Sequence, residues 1–168
     1  MRLPVDVVDD GTNVRVTFHD PKGTVDQVLQ STGGWVRDRE GVHAMPRNGE
    51  ENFRASIAAW RMVLPSSFTD AARTTGKEGE RWVVTQGNER FWFDAQSGLL
   101  VRRVVLTATP VGTMPQQTEY EDYREVAGVR VPFRVSVLLA DPWSSATWLY
   151  TSVQPGATVD EGQFAMPR

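Results

Sequence analysis

The residues best placed to do chemistry lie in one short stretch, Glu119-Tyr120-Glu121-Asp122-Tyr123-Arg124. In a strand, Glu119 and Glu121 point to the same face, and two carboxylates side by side suit paired acid and base work. An enzyme built on Glu119, Glu121 and Tyr123 would need them to converge in a pocket with shifted pKa values. The ordinary reading of the same residues is a solvated sheet face beside a turn, where charged side chains mostly sit. Asp9-Asp10 is the other carboxylate grouping, and Asp10-Gly11 is a turn signal. His19 and His43 are the two histidines, too few for a His-rich metal site, and each is expected to be an ordinary surface residue. Ser31, Ser66, Ser67, Ser144 and Ser145 sit in turn-like sequence with no histidine nearby, and no GxSxG, HExxH or P-loop pattern occurs. Cysteine is absent, which removes thiol nucleophiles, disulfides, iron–sulfur sites and haem attachment through CxxCH. The expectation is a non-enzymatic protein without metal or cofactor.

The elements that carry these residues are mostly strands. With 168 residues, 40% hydrophobic and 23% charged, the chain is expected to fold as one globular domain. The net charge of −3 lacks the basic excess of a nucleic-acid binder. No apolar run is long enough for a membrane span, and MRLPVDVVDD has no apolar core of a signal peptide. Asn13 to His19 alternates, with Val14, Val16 and Phe18 on one face. Thr24 to Gln30 follows, with Val28-Leu29 breaking the alternation as a bulge would. Trp35-Val36-Arg37 and Val42 to Ala44 are further short strands.

One helix is expected from Asn48, a good N-cap with Glu51 completing a capping box, to the stop at Pro65. Phe53, Ile57, Trp60 and Leu64 form its apolar stripe. Ser67 to Arg73 is a weak strand. Arg81 to Thr85 and Glu89 to Asp94 flank a hairpin turn at Gly87-Asn88. The loop Asp94 to Gly98 suits a type I turn closed by a left-handed glycine, so Gly98 should have positive φ. Leu99 to Thr107 leads on to Thr118 to Val126 and Val129 to Leu139, paired around Ala127-Gly128. Thr147 to Gln154 is the last strand, and the tail docks Phe164. The fold class is mainly β: a strongly curved antiparallel sheet with one amphipathic helix across its concave face.

Aromatic residues are the stronger lead. Six tryptophans, Trp35, Trp60, Trp82, Trp92, Trp143 and Trp148, are many for this length. Phe53, Ile57, Trp60, Leu64, Trp82, Phe91, Phe93 and Phe133 are candidates to line an apolar groove under the helix, the ordinary alternative being that they fill a core. Phe91 and Phe93 point one way and Trp92 the other, so Trp92 must find cover of its own. Arginine far outnumbers lysine, and Arg90, Arg102, Arg103, Arg130 and Arg134 are expected on outer sheet faces, paired with carboxylates across strands.

Phe93-Asp94-Ala95-Gln96-Ser97-Gly98-Leu99-Leu100-Val101-Arg102 resembles a family pattern of strand, Asp-x-x-Ser/Thr-Gly-Leu, strand with Arg. Tyr120 to Arg124, Gly128 to Phe133 and Gly34-Trp35 fit the same pattern. Together they resemble the LolA/LolB-like group of bacterial outer-membrane lipoprotein-sorting and carrier domains. More narrowly, they resemble the domain of bacterial photosynthetic reaction-centre cytochrome c subunit-like proteins. The resemblance implies a single half-open barrel over residues 1–168, without the helix and first strand that begin family members. It implies an extracytoplasmic, periplasmic location and a lipid or acylated protein held in an apolar cavity. The alternative it leaves is a structural or interaction module with a filled barrel.

Overall fold

A computed structural model describes residues 2–60, 72–109, 112–138 and 145–167. The described chain is mainly β, with two antiparallel sheets, one α-helix and no closed barrel. It divides into two compact units, Met1–Ala58 with Gly156–Arg168, and Ala59–Pro155. The strands expected in one curved sheet thus fall into two sheets.

The first unit holds β1 (Val5–Asp9), β2 (Val14–Asp20), β3 (Gly23–Gln30), β4 (Gly33–Asp38) and β5 (Gly41–Ala44), each beside its neighbour in sequence. Val28 and Leu29 are both buried, yet β3 pairs with β2 and β4 without a register shift. No bulge is present. Adjacent residues are buried because both faces of the sheet are covered, which erases the alternation of a half-buried strand. On one face Val28 and Trp35 pack on Phe164, with Val8 and Val159 beside them. Phe164 ends a 3-10 turn, Glu161–Phe164, and docks as expected. Burying that ring contributes about 2–3 kcal/mol.

α1 (Arg47–Trp60) follows β5. It starts two residues earlier than the capping-box pattern suggests, with Pro46 rather than Asn48 at the cap position. The Pro46 carbonyl, on a residue whose φ is already close to helical, accepts from the Glu50 amide at 3.0 Å. Asn48 therefore lies inside the first turn, and its Oδ1 accepts from the Gly49 amide at 3.0 Å. Glu51 pairs with Arg47 at 3.2 Å. Phe53 and Ile57 are buried, as the stripe requires. Leu64 and the expected stop at Pro65 lie outside the described residues.

The second unit is a meander of β6 (Thr74–Glu78), β7 (Arg81–Gln86), β8 (Glu89–Asp94), β9 (Leu100–Thr109), β10 (Gly112–Val126), β11 (Val129–Leu138) and β12 (Ala146–Leu149). β6 carries no alternation and is exposed throughout, so only its pairing with β7 defines it. Most of the weak Ser67 to Arg73 segment lies outside the described residues. The last strand is shorter than expected, ending at Leu149. Gly98 has φ 69°, as its turn demands, and its amide donates to the Asp94 carbonyl at 2.9 Å. Asp94 Oδ1 accepts from the Ser97 amide at 2.8 Å and the Ser97 hydroxyl at 2.7 Å, which holds its carboxyl below the usual range. Ala127 has φ 50° and Gly128 φ 79°, the two positive values of a type I′ turn.

Candidate functional site

An open cleft of about 340 Å³ lies in the first unit, between α1 and the sheet. Gln27 of β3 and Val36 of β4 form one wall, and Gly49, Asn52, Phe53 and Ser56 of α1 form the other. Met45 and Pro46, in the link from β5 to α1, close one end.

Local geometry explains why the space has this shape. The Met45 amide donates to the Gly34 carbonyl at 2.8 Å, and the Gly34 amide donates to Glu50 Oε1 at 2.8 Å. A Cβ on Gly34 would lie 2.9 Å from the Val28 carbonyl oxygen and 3.2 Å from Met45 Cβ. Only glycine lets Met45 come down onto the sheet there. Gly49 likewise allows close approach, since a Cβ would meet Met45 Cγ at 3.1 Å. Phe53 and Met45 are buried, while Asn52 and Ser56 stand at the exposed rim. None of the lining residues carries a charge. The cleft offers apolar walls with amide and hydroxyl groups at its mouth, the composition of a small-ligand site.

The residues proposed from sequence for an apolar groove are divided between the two units. Phe53 lines the cleft, and Ile57 is buried one turn further along α1. Trp60 closes the described part of α1. Phe91 packs with Leu100, Tyr120 and Val135 in the core of the second unit, and Phe93 is half-buried against that cluster. Phe133 is buried, with the Arg124 guanidinium 4.3 Å from its ring centre. Trp82 is half-exposed on β7, and the Lys77 ammonium sits 5.5 Å from its ring centre.

The carboxylate stretch is spread over separate pairs, two across strands and one within β10. Glu119 accepts from Arg102 at 3.3 Å and from the Gln117 amide at 2.9 Å. Glu121 pairs with Arg134 at 3.0 Å, and Asp122 with Arg124 at 2.6 Å. The Tyr123 hydroxyl donates to the Leu100 carbonyl at 2.7 Å, and burial pushes its pKa up. His19 meets Asp6 at 2.8 Å and His43 meets Asp38 at 3.8 Å. Among the described residues no group of three or more His, Cys, Asp or Glu could hold a metal ion.

Arg90, Arg102 and Arg134 pair across strands on one face of the sheet, as expected. Arg103 does not share that face. Its place opposite Phe91 turns it to the other face, where it is only 11% exposed and forks Glu89 at 3.1 and 2.8 Å. Adjacent residues on a strand point to opposite faces, so one of Arg102 and Arg103 had to turn this way. Trp92 finds its cover in charged side chains. Its Nε1 donates to Glu78 at 2.9 Å, and the Arg90 guanidinium, ion-paired to Glu78, lies 4.7 Å from its ring centre.

No protein-family model matches the chain, and neither does any curated protein or solved structure.

One cluster escaped notice in the sequence. Asp26 of β3 is fully buried. Its Oδ1 accepts from Arg15 at 3.0 and 3.2 Å and from the Thr17 hydroxyl at 2.6 Å, and Arg37 pairs with Oδ2. Burial is the largest single influence and alone would raise its pKa. The hydrogen bonds from Thr17, Arg15 and Arg37 and the Arg15 charge together outweigh it, holding the carboxyl below its ordinary value. The available signal was its spacing from Val28: two residues apart on a strand, they share a face.

Proposed function

We propose that the chain is a non-enzymatic binding domain whose α1 cleft takes one slender apolar group, such as the acyl chain of a lipid or lipidated protein in the bacterial envelope. The observation that carries this is the uncharged cleft between α1 and the sheet, with Val36, Met45 and Phe53 in its walls. Its volume of about 340 Å³ falls at the small end of ligand sites, which suits a single chain rather than a bulky lipid. The resemblance of Phe93 to Arg102 to the carrier domains supports the same reading. The half-open barrel and the periplasmic location are parts of this proposal.

The test is calorimetric titration of the chain with fatty acids from octanoate to palmitate, set beside the Ser56→Phe variant. Ser56 is exposed at the cleft mouth, so a phenyl ring there fills space without disturbing the core. The expected result is micromolar binding, weakened at least about tenfold by Ser56→Phe. Absence of binding across the series, or equal binding by the variant, would overturn the assignment.

A second reading, a structural or interaction module, draws support from the close packing of Phe91, Leu100, Tyr120 and Val135 in the second unit. It predicts that no acyl probe binds.

A further inference from the structure

The sheet face opposite the α1 cleft is covered by a segment held the way a peptide is held. Residues Gly156–Arg168 belong to the first unit although the whole of Ala59–Pro155 intervenes in sequence. Residues 150–160, which lead to the 3-10 turn, contain no helix or strand. The turn organises itself. Asp160 Oδ1 accepts from the Gly162 amide at 3.0 Å, and the Asp160 carbonyl accepts from the Gln163 amide at 3.0 Å. Its shape is therefore set largely by local contacts, which lowers the entropy lost on docking.

The sheet recognises this turn in two ways. Phe164 is buried against Val28 and Trp35. Sheet side chains also grip its main chain: Trp35 Nε1 donates to the Phe164 carbonyl at 2.8 Å, and Arg15 donates to the Gln163 carbonyl at 3.2 Å. A buried aromatic anchor combined with hydrogen bonds to main-chain carbonyls is the chemistry of peptide recognition.

We propose that this face is a peptide groove, filled in cis by residues 160–165 and able to take the same segment from a second copy of the chain. The segment is already complementary to the groove. Residues 151–158 contain no helix or strand that must break when it leaves with Val159, which lowers the cost of exchanging identical segments between protomers. An empty groove would expose its apolar slot, lined by Val28 and Trp35, to water, so exchange is favoured over vacancy.

The test uses the full chain carrying Phe164→Ala and a fluorescent synthetic peptide of residues 156–168. The expected result is binding to the variant in the micromolar range. The wild-type chain, whose own segment competes, should bind at least about tenfold more weakly. A peptide carrying the Phe164→Ala change should not bind, and Trp35→Phe in the receiving chain should weaken capture by removing one donor. If circular dichroism shows the Phe164→Ala chain to be unfolded, a wild-type chain with a protease site replacing residues 152–155 serves. It is cut after folding and tested for exchange of its own segment with the labelled peptide. Failure of the peptide to enter either folded protein, or entry indifferent to Phe164, would overturn the proposal.

Discussion

In the five-stranded sheet the buried charge is an acid, Asp26, surrounded by Arg15, Thr17 and Arg37. In the seven-stranded sheet its counterpart is a basic group, the partly buried Arg103, forked by Glu89 and set beside the Phe91 and Tyr120 core. Both sheets enclose a charged cluster, and in both the charged centre meets opposite charge locally. A further difference lies at the alkaline end of the pH scale, where buried tyrosines mark the seven-stranded sheet. Asp26 has a lowered pKa, whereas in the second unit burial pushes Tyr120 and Tyr150 up to about 12.

The largest expected effect tests the Asp26 side of this contrast. Asp26→Ala leaves Arg15 and Arg37 facing each other without their shared partner. Their side chains are 25% and 45% exposed and can partly rehydrate, so the loss should be about 3 kcal/mol, the low end for breaking a buried ion pair. Urea unfolding followed by amide NMR signals should show β2, β3 and β4 weakened more than β8 to β11. A loss no greater than that of a surface pair, under about 1 kcal/mol, would remove the contrast.

The next test is pH. The stabilisation from Asp26 is complete above the unfolded carboxyl pKa of about 3.9 and is lost as pH falls through its lower folded value. Tyr120 and Tyr150 behave in the opposite sense. Their contribution is complete below the ordinary pKa of 10.0 and is lost as pH rises towards about 12. Alkali should therefore loosen the seven-stranded sheet first, whereas acid acts on both sheets, through Asp26 in one and Glu78, Asp94 and Asp122 in the other. Thermal melts with sheet-specific NMR signals would show it, and loss of the five-stranded sheet first in alkali would break the comparison.

The smallest effects separate turn strain from charge within the second unit. Gly98→Ala should destabilise by about 1 kcal/mol, because φ 69° disfavours a side chain although nothing lies within 4 Å of the added Cβ. Ala127→Asn should act in the other direction, gaining about 0.5–1 kcal/mol at φ 50° in the type I′ turn. Denaturant midpoints of the two variants should shift to opposite sides of the wild type.

How much of this was legible in the sequence depends on the range of the interaction. The turns at Gly87-Asn88, Gly98 and Ala127-Gly128 announce themselves because turn chemistry is contained in a few adjacent residues. Phe164 could be seen as a docking residue for the same reason. β6 could not, since its Thr-Thr-Gly-Lys-Glu sequence has no period and owes its strand to β7 alone. Asp26 and Arg103 were hidden for a different cause. Each is a charged type on a strand, and residue type alone places such groups in solvent. Their partners, Arg15 and Arg37 on neighbouring strands and Glu89 across the β8–β9 pair, appear only with the register. The cleft needed two elements at once, because its shape depends on Gly34 and Gly49 letting Met45 settle between sheet and helix.

The hydrogen bond from Trp35 to Phe164 spans 129 residues of sequence, and this sets a timetable for the nascent chain. At roughly 5–20 residues per second on the ribosome, Trp35 is made about 6–26 s before its partner. During that interval the seven-stranded unit can be synthesised in full while the Val28–Trp35 face of the first unit stays bare. A chaperone that binds apolar strands would find its substrate there, and the arrival of Phe164 would be the event that ends its hold.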